Sequence, residues 1–198
     1  MLPSPSAYNK DMKTQEYLIH SNFITTQTNL PLFTEEYRYP CHPREAAHSH
    51  EFLEIGIILS GQVIHHTAQE SRTLTEGCVY CIPIGQTHSL ESDREFTIRN
   101  LYLLPKILLT EASGENAPVQ LQDFLLYYTE YRKKQMTHNI LSPDLLSSVK
   151  MLLKSYDDTP LAPALLEPFR YHCLFNILLL LCDSFYSTHG IHFARKDA

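Results

Sequence analysis

Between residues 52 and 103, apolar and polar positions alternate in short runs. Segments 52–59, 62–67, 71–75, 78–83, 88–91 and 95–103 are rich in Ile, Val, Tyr, Thr and Leu, and turn-formers such as Ser60-Gly61 and Glu76-Gly77 separate them. Many short strands at close spacing predict a β-sandwich or barrel. In "HSHEFLEIGIILSG", residues 48–61, period two puts His48, His50, Phe52, Glu54, Gly56 and Ile58 on one side of a strand and Leu53, Ile55, Ile57 and Leu59 on the other. One side is aliphatic and wants to be covered; the other carries three ligand-type side chains.

After Pro105 the texture changes. "TEASGENAP" (110–118) is a polar linker, and the period that follows is 3.6 rather than 2. The pattern predicts a helix over 120–136. A second starts with Ser142 as N-cap and Pro143 at the first helical position, with Leu145, Leu146, Val149, Leu152, Leu153 and Tyr156 on one stripe. A third runs from about Ala164 or Pro168 to about Ser187 and stops near Gly190. Between Leu174 and Leu181 it is apolar nearly all round, so it needs cover on more than one side. A second copy of the chain can provide that cover, and a homodimer is expected; a central helix in a monomeric bundle is the alternative. The first thirty or so residues, with Pro3, Pro5 and Pro31, show no sustained period and read as an arm. The expected organisation is an arm (1–34), a barrel (35–108), a linker (109–118), a helical dimerisation segment (119–190) and a tail (191–198).

Size and composition narrow the class. A chain of 198 residues, 43% hydrophobic, can bury a core without metal or disulfide staples. Five scattered cysteines suit reduced thiols in the cytoplasm, and Cys78 and Cys81 are not expected to act as a redox pair, because strand residues three apart face opposite ways. The N-terminal stretch lacks the apolar run of a cleavable signal, and the apolar stretch 173–182, interrupted by Asn176, is too short to cross a bilayer, so a soluble, cytoplasmic protein is expected. A net charge of -6 argues against a broad basic face for nucleic acid, and Arg132-Lys133-Lys134 reads as a solvated helix face. Phosphate-loop, zincin, hydrolase-elbow and dinucleotide motifs are all missing.

The chemistry-bearing residues fall in two linked motifs. His48, His50, Glu54 and Gly61 follow H-x-H-x3-E-x6-G, and Gly77, Pro83, Gly85 and His88 follow G-x5-P-x-G-x2-H. This pair resembles the signature of the cupin barrel. The resemblance implies an all-β jelly-roll in which His48, His50, Glu54 and His88 converge inside the mouth. Imidazoles and a carboxylate suit a divalent ion of the Zn, Fe, Mn, Ni or Cu group, with positions left open for water or a ligand. Two positions depart from the pattern: His42 stands where a glycine is usual and Ser92 where an asparagine is usual.

With "IPIGQTH", "EFTIRNLYLLP" and the helices beyond, residues 35–187 resemble the N-terminal half of AraC-type transcription regulators, most similarly those answering to sugars such as rhamnose. That resemblance implies a barrel that senses a small, sugar-like effector, dimerisation through the helices, and DNA contact only through a separate C-terminal helix-turn-helix unit that this chain does not contain. It also implies effector contacts from Ile98, as an apolar wall, and Asn100, as a two-way hydrogen-bond partner. Phe52 can add a flat surface or be plain core. For His48, His50, Glu54 and His88 three readings stay open: a metal site, direct effector contact, or an inert hydrogen-bonded cluster. His65 and His66, adjacent on a strand, face opposite ways, so at most one can join the site; both are expected at the surface. A stand-alone cupin metalloenzyme, such as a dioxygenase or sugar isomerase using the His48/His50/Glu54/His88 set, is the alternative function.

Overall fold

Four other strands pair with one long strand in the computed structural model, which describes residues 16–44, 46–107, 121, 124–125 and 138–189. In chain order the elements are β1 (Tyr17–Ile19), α1 (Asn22–Thr25), β2 (Leu32–Tyr39), β3 (His48–His50), β4 (Leu53–Thr67), β5 (Ser71–Thr75), β6 (Cys78–Ile82), β7 (His88–Glu91), β8 (Phe96–Leu103), β9 (His138–Ile140), α2 (Pro143–Asp158) and α3 (Pro163–His189). The result is a curled, cupin-type sheet followed by helices, the expected fold class.

The expected turn at Ser60-Gly61 is absent, because the chain runs through it as β4. The first half of β4 pairs with β6 and β8, and the second half with β5 and β7. The change of sheet is made by a β-bulge: Ile58 faces Ile98, but Ser60 already faces Thr97, which leaves Leu59 without an opposite number. Gly61 follows with φ 77, and a Cβ there would press on the carbonyl of Glu95 and on Phe96, so only glycine suits the corner. One extra residue also reverses the alternation. Glu54 and Ile58 point into the barrel before the bulge; Val63 and His65 point into it afterwards.

The aliphatic side of the strand is covered as its pattern requires. Leu53, Ile55 and Ile57 pack with Val79, Cys81, Leu101 and Leu103 beneath Val149 and Leu153 of α2 and Leu174, Ile177, Leu178 and Phe185 of α3. Each side chain so buried contributes about 1.5–3 kcal/mol relative to exposure. Cys78 lies in the barrel interior and Cys81 under the helices, on opposite faces as period two demands. Helix α2 starts as expected, with Pro143 in its first turn and the Ser142 hydroxyl accepting from the Leu145 N–H at 3.3 Å.

Helix α3 begins at Pro163, one residue before the earlier of the two expected starts, and carries Pro168 inside it. Its length changes one expectation. The ten-residue stretch 173–182 is too short to span a bilayer, whereas the helix as a whole is long and apolar enough to do so by length and composition. Its inner face, however, belongs to the core of the sheet.

Part of the N-terminal arm is built into the fold. β1 adds to β3 in parallel, and the Glu51 carboxylate accepts from the Ser21 N–H at 2.9 Å and the Ser21 hydroxyl at 3.2 Å while contacting His20 Nδ1 at 3.0 Å. Arm residues 1–15, the linker 109–118, most of the expected helix 120–136 and the tail 191–198 lie outside the described residues. Within that helix Leu121, Phe124 and Leu125 are described; they are helical and buried in the core under α2 and α3.

Candidate functional site

Strands β3 and β7 meet at a single register pair, His48 opposite His88. Directly opposite residues share a face, so His48, His50 and His88 converge, and one ring nitrogen from each lies within 4.8 Å of the others. All three are buried. The Nε2 atoms of His50 and His88 are 3.3 Å apart. That is long for an N–H···N hydrogen bond, whose usual range ends near ~3.2 Å, and close to the ~3.3 Å that separates two nitrogens each ~2.05 Å from a tetrahedral ion. The set therefore fits a divalent metal by donor type and by spacing. His48 also has its Nδ1 3.4 Å from the Ala46 carbonyl.

Glu54 stands one step behind. Its Oε2 is 3.3 Å from His50 Nε2, and its Oε1 accepts from the Tyr80 hydroxyl at 3.2 Å. It is not a member of the three-nitrogen set. The contacts thus run from His88 through His50 to Glu54 and Tyr80.

His65 is not at the surface. It is fully buried, and its Nε2 lies 3.0 Å from His88 Nδ1. The bulge at Ile58/Ser60 put it there: uninterrupted alternation from Glu54 would have sent it outward. His66 is buried, paired between β5 and β7, with Nδ1 2.7 Å from the Ser71 hydroxyl and Nε2 2.9 Å from Glu91. His138 contacts Arg72 at 3.0 Å and lies edge-on to His65. His42 and Ser92, the two positions that depart from the barrel signature, pair with each other through backbone bonds of 2.8 and 2.6 Å.

Burial sets the protonation of this cluster. It lowers His50 to about 3, with neighbouring His48 adding to the effect, and lowers His65 to about 3, with His138 and His66 contributing. His88 is pushed well below the ordinary imidazole value, again by burial first and by His48, His65 and His50 next. Near neutral pH these three rings are uncharged, the form that ligates metal.

The neighbouring wall is aromatic and polar. Ile98 and Asn100 on β8 both face a cavity of about 70 Å³ whose lining includes His48, Phe52, Glu54, His88, Tyr37 and Tyr102. Asn100 Nδ2 donates to the Tyr102 hydroxyl at 3.2 Å, Tyr102 and Tyr37 share a contact of 3.2 Å, and Tyr37 donates to Glu35 at 2.6 Å. Burial raises both tyrosines, with Tyr102 and Glu35 adding to it at Tyr37 and Glu54 at Tyr102, so both stay protonated donors. Asn100 Oδ1 is buried with no hydrogen-bond partner among the described residues. Phe52 is both wall and core: it lines the cavity, stacks on His50 at 5.0 Å and packs on Phe23 of the arm.

Several lining residues were not anticipated from sequence. Tyr102 follows Asn100 by two along β8, and Tyr37 faces Ile98 across β2, so period two could have found Tyr102 but only the pairing register reveals Tyr37. Tyr17, Ile19 and Phe23 come from the arm and carry no periodic signal. Tyr17 stacks on His48 at 5.2 Å at the cavity wall.

The family model described as AraC-like ligand binding domain matches residues 29–170. A comparison with curated proteins gave no match. Among solved structures, apo ToxT K231A from Vibrio cholerae strain SCE256 superposes with a TM-score of 0.53 at 16% identity, covering 82% of this chain and 56% of that one. A Cupin 2 conserved barrel domain protein from Salinispora arenicola CNS-205 matches at 20% identity and TM-score 0.37, over 40% of this chain and 69% of its own. An RmlC-like cupin from Shewanella frigidimarina NCIMB 400 matches at 13% identity and TM-score 0.36, over 38% and 68%. The chain therefore spans about half the length of the structure it follows over most of its own sequence.

Proposed function

The chain belongs to the AraC-like ligand-binding domain family, and on that premise we propose that it senses a small, sugar-like effector in its barrel and passes occupancy to an attached DNA-reading unit. The observation that carries the reading is Asn100 Oδ1, a buried acceptor with no partner among the described residues, beside the hydroxyls of Tyr37 and Tyr102. An orphaned buried acceptor costs about 1–3 kcal/mol, which a ligand hydroxyl returns on binding. Sugars suit such a wall, because hydroxyls meet Asn100, Glu54 and the tyrosines while the ring face lies on Ile98 and Phe52.

The cavity of about 70 Å³ is about half the ~150 Å³ that accommodates benzene in an engineered core. A monosaccharide enters only as Tyr17, Ile19 and Phe23 move back. Effector binding thereby shifts the balance between two arrangements of the arm, and the attached unit responds to that shift. The outer face of α3, with Leu165 60% exposed and Phe175 and Leu179 half-buried, offers the surface for a homodimer.

The test is thermal unfolding of the full chain against a panel of monosaccharides. Asn100→Leu and Glu54→Ala are expected to abolish the rise in Tm that an effector gives the wild type. Equal rises in both variants would remove the pocket assignment.

The 3.3 Å approach of His50 and His88 supports a second reading, that His48, His50 and His88 hold a divalent ion such as Zn, Ni, Fe or Mn. When bound, the ion supplies a Lewis-acid centre with positions open to water or effector oxygens. A sensor can use it to grip its effector, and a stand-alone cupin metalloenzyme can use it on a substrate. Stoichiometric metal in chelator-free protein supports the site in either case; turnover of a substrate is what favours the enzyme.

A further inference from the structure

We propose that His65 is a positioning residue for the imidazole triad: by accepting a hydrogen bond at Nε2 from the Nδ1–H of His88, it fixes His88 in the tautomer whose Nε2 lone pair faces the metal position. The inference rests on the reading of His48, His50 and His88 as a metal site, and it adds a fourth histidine that the barrel signature does not contain.

The polarity of the chain of contacts follows from its acidic end. Tyr80 donates to Glu54 Oε1 at 3.2 Å, which leaves Oε2 to the His50 ring at 3.3 Å. With Glu54 as a carboxylate, which only accepts, His50 carries its proton on Nε2 before an ion arrives and shifts it to Nδ1 when Nε2 ligates. His88 Nε2, 3.3 Å from that same atom, then faces it with a lone pair, since two N–H groups do not point at each other. A neutral imidazole has one N–H, so the His88 proton sits on Nδ1 and points at His65 Nε2, 3.0 Å away. Before any ion arrives, His88 is already in the ligating form.

Packing fixes the donor–acceptor axis. His65 is diagonal to His88 across the β4–β7 ladder, where His65 faces Leu90 and Thr67 faces His88. Its ring lies edge-on to His88 at 5.1 Å and rests on Tyr80 at 4.4 Å, the same tyrosine that holds Glu54. Metal-binding histidines are oriented by an acceptor for their remote N–H, usually a carboxylate, carbonyl or water; here an imidazole takes that place, and loss of such a partner typically weakens metal binding 10–100-fold.

The experiment measures Zn²⁺ affinity by competition with a chromophoric chelator, together with the tautomer of His88 from long-range 1H–15N correlation spectra. In the wild type we expect His88 protonated at Nδ1. His65→Phe removes the acceptor and is expected to weaken Zn²⁺ binding about 10–100-fold, while His65→Gln, whose side-chain carbonyl can still accept, restores binding to within a few-fold. Wild-type His88 protonated at Nε2, or His65→Phe binding as tightly as wild type, overturns the positioning role and leaves the metal site standing. A wild type that takes up neither Zn²⁺ nor Co²⁺ overturns the metal site and this inference together. The wild-type spectrum decides the tautomer even if His65→Phe does not fold.

Discussion

Arg99 and Asp157 form a two-pronged ion pair between the pocket strand and the helical layer. Arg99, 4% exposed, donates from Nη1 to Oδ2 at 3.0 Å and from Nη2 to Oδ1 at 2.9 Å, while its Nε donates to Thr34. Arg99 sits between Ile98 and Asn100, so the strand whose inner face lines the pocket is tied on its outer face to α2. Tyr156 completes the clamp, with the Arg99 and Arg170 guanidinium carbons 5.5 and 5.1 Å from its ring centre.

Cutting this tie leaves a buried guanidinium short of its main partner. Asp157→Ala is expected to cost about 1–3 kcal/mol, below the ~3–5 kcal/mol of a fully buried broken pair because Asp157 is partly solvated. Arg99→Lys should not restore stability, since an ammonium lacks the planar fork that engages both carboxylate oxygens. Urea unfolding midpoints of the two variants measure this, and a wild-type midpoint for Arg99→Lys would contradict it.

Gly56 is where Tyr80 crosses the strand. A Cβ there would collide with the end of the Tyr80 ring, which is fully buried and cannot swing into solvent. Gly56→Ala is therefore expected to displace the Tyr80 hydroxyl from Glu54 and destabilise the fold by about 1–3 kcal/mol, the usual cost of overpacking. Effector-induced stabilisation should weaken with it. Chemical denaturation reads the first effect and ligand-dependent melting the second.

Acid should unfold the barrel. His50 and His65 are held near 3 and His88 well below its ordinary value, while in the unfolded chain each titrates near ~6.5. As pH falls below ~6.5 the unfolded chain takes up protons that the folded cluster refuses. The stability these rings contribute is therefore complete above that pH and is lost on acidification toward about 3. Each ring gives up to about 1.4 kcal/mol per pH unit, so the three together reach at most about 4 kcal/mol per unit. Urea midpoints at pH 7.5, 6 and 5 should fall steeply, and His65→Phe should flatten the slope by about one group's share; a level profile would rule this out.

If α3 forms the dimer interface, a charge on its outer face will separate the copies. Leu165→Lys and Leu179→Lys are expected to turn a dimer into a monomer in light scattering behind size exclusion, with the effector-induced melting shift retained. A wild type that runs as a monomer at all concentrations removes the interface.

Local alternation sufficed to place Leu53, Ile55 and Ile57 on one side of β4 and His50, Phe52 and Glu54 on the other, because a strand's side-chain period is set by the backbone alone. The two motifs likewise identified the histidines that meet at the mouth, and Ser142 with Pro143 marked where α2 begins, since capping depends only on neighbours in the chain. Three features needed the folded chain. The bulge after Ile58 reverses the alternation by one residue, and it is visible only as a register shift against β8; it moves His65 from the surface to the centre of the site. Tyr37 enters the pocket through its pairing with Ile98, a contact across 61 positions that no local pattern encodes. The seating of Tyr17 and Phe23 over His48 and Phe52 comes from β1 adding to β3, and Arg99 found Asp157 only because α2 packs on that face. Local periodicity specifies which way each residue points relative to its neighbours; which distant residues it then meets is decided by strand register and by the packing of layers.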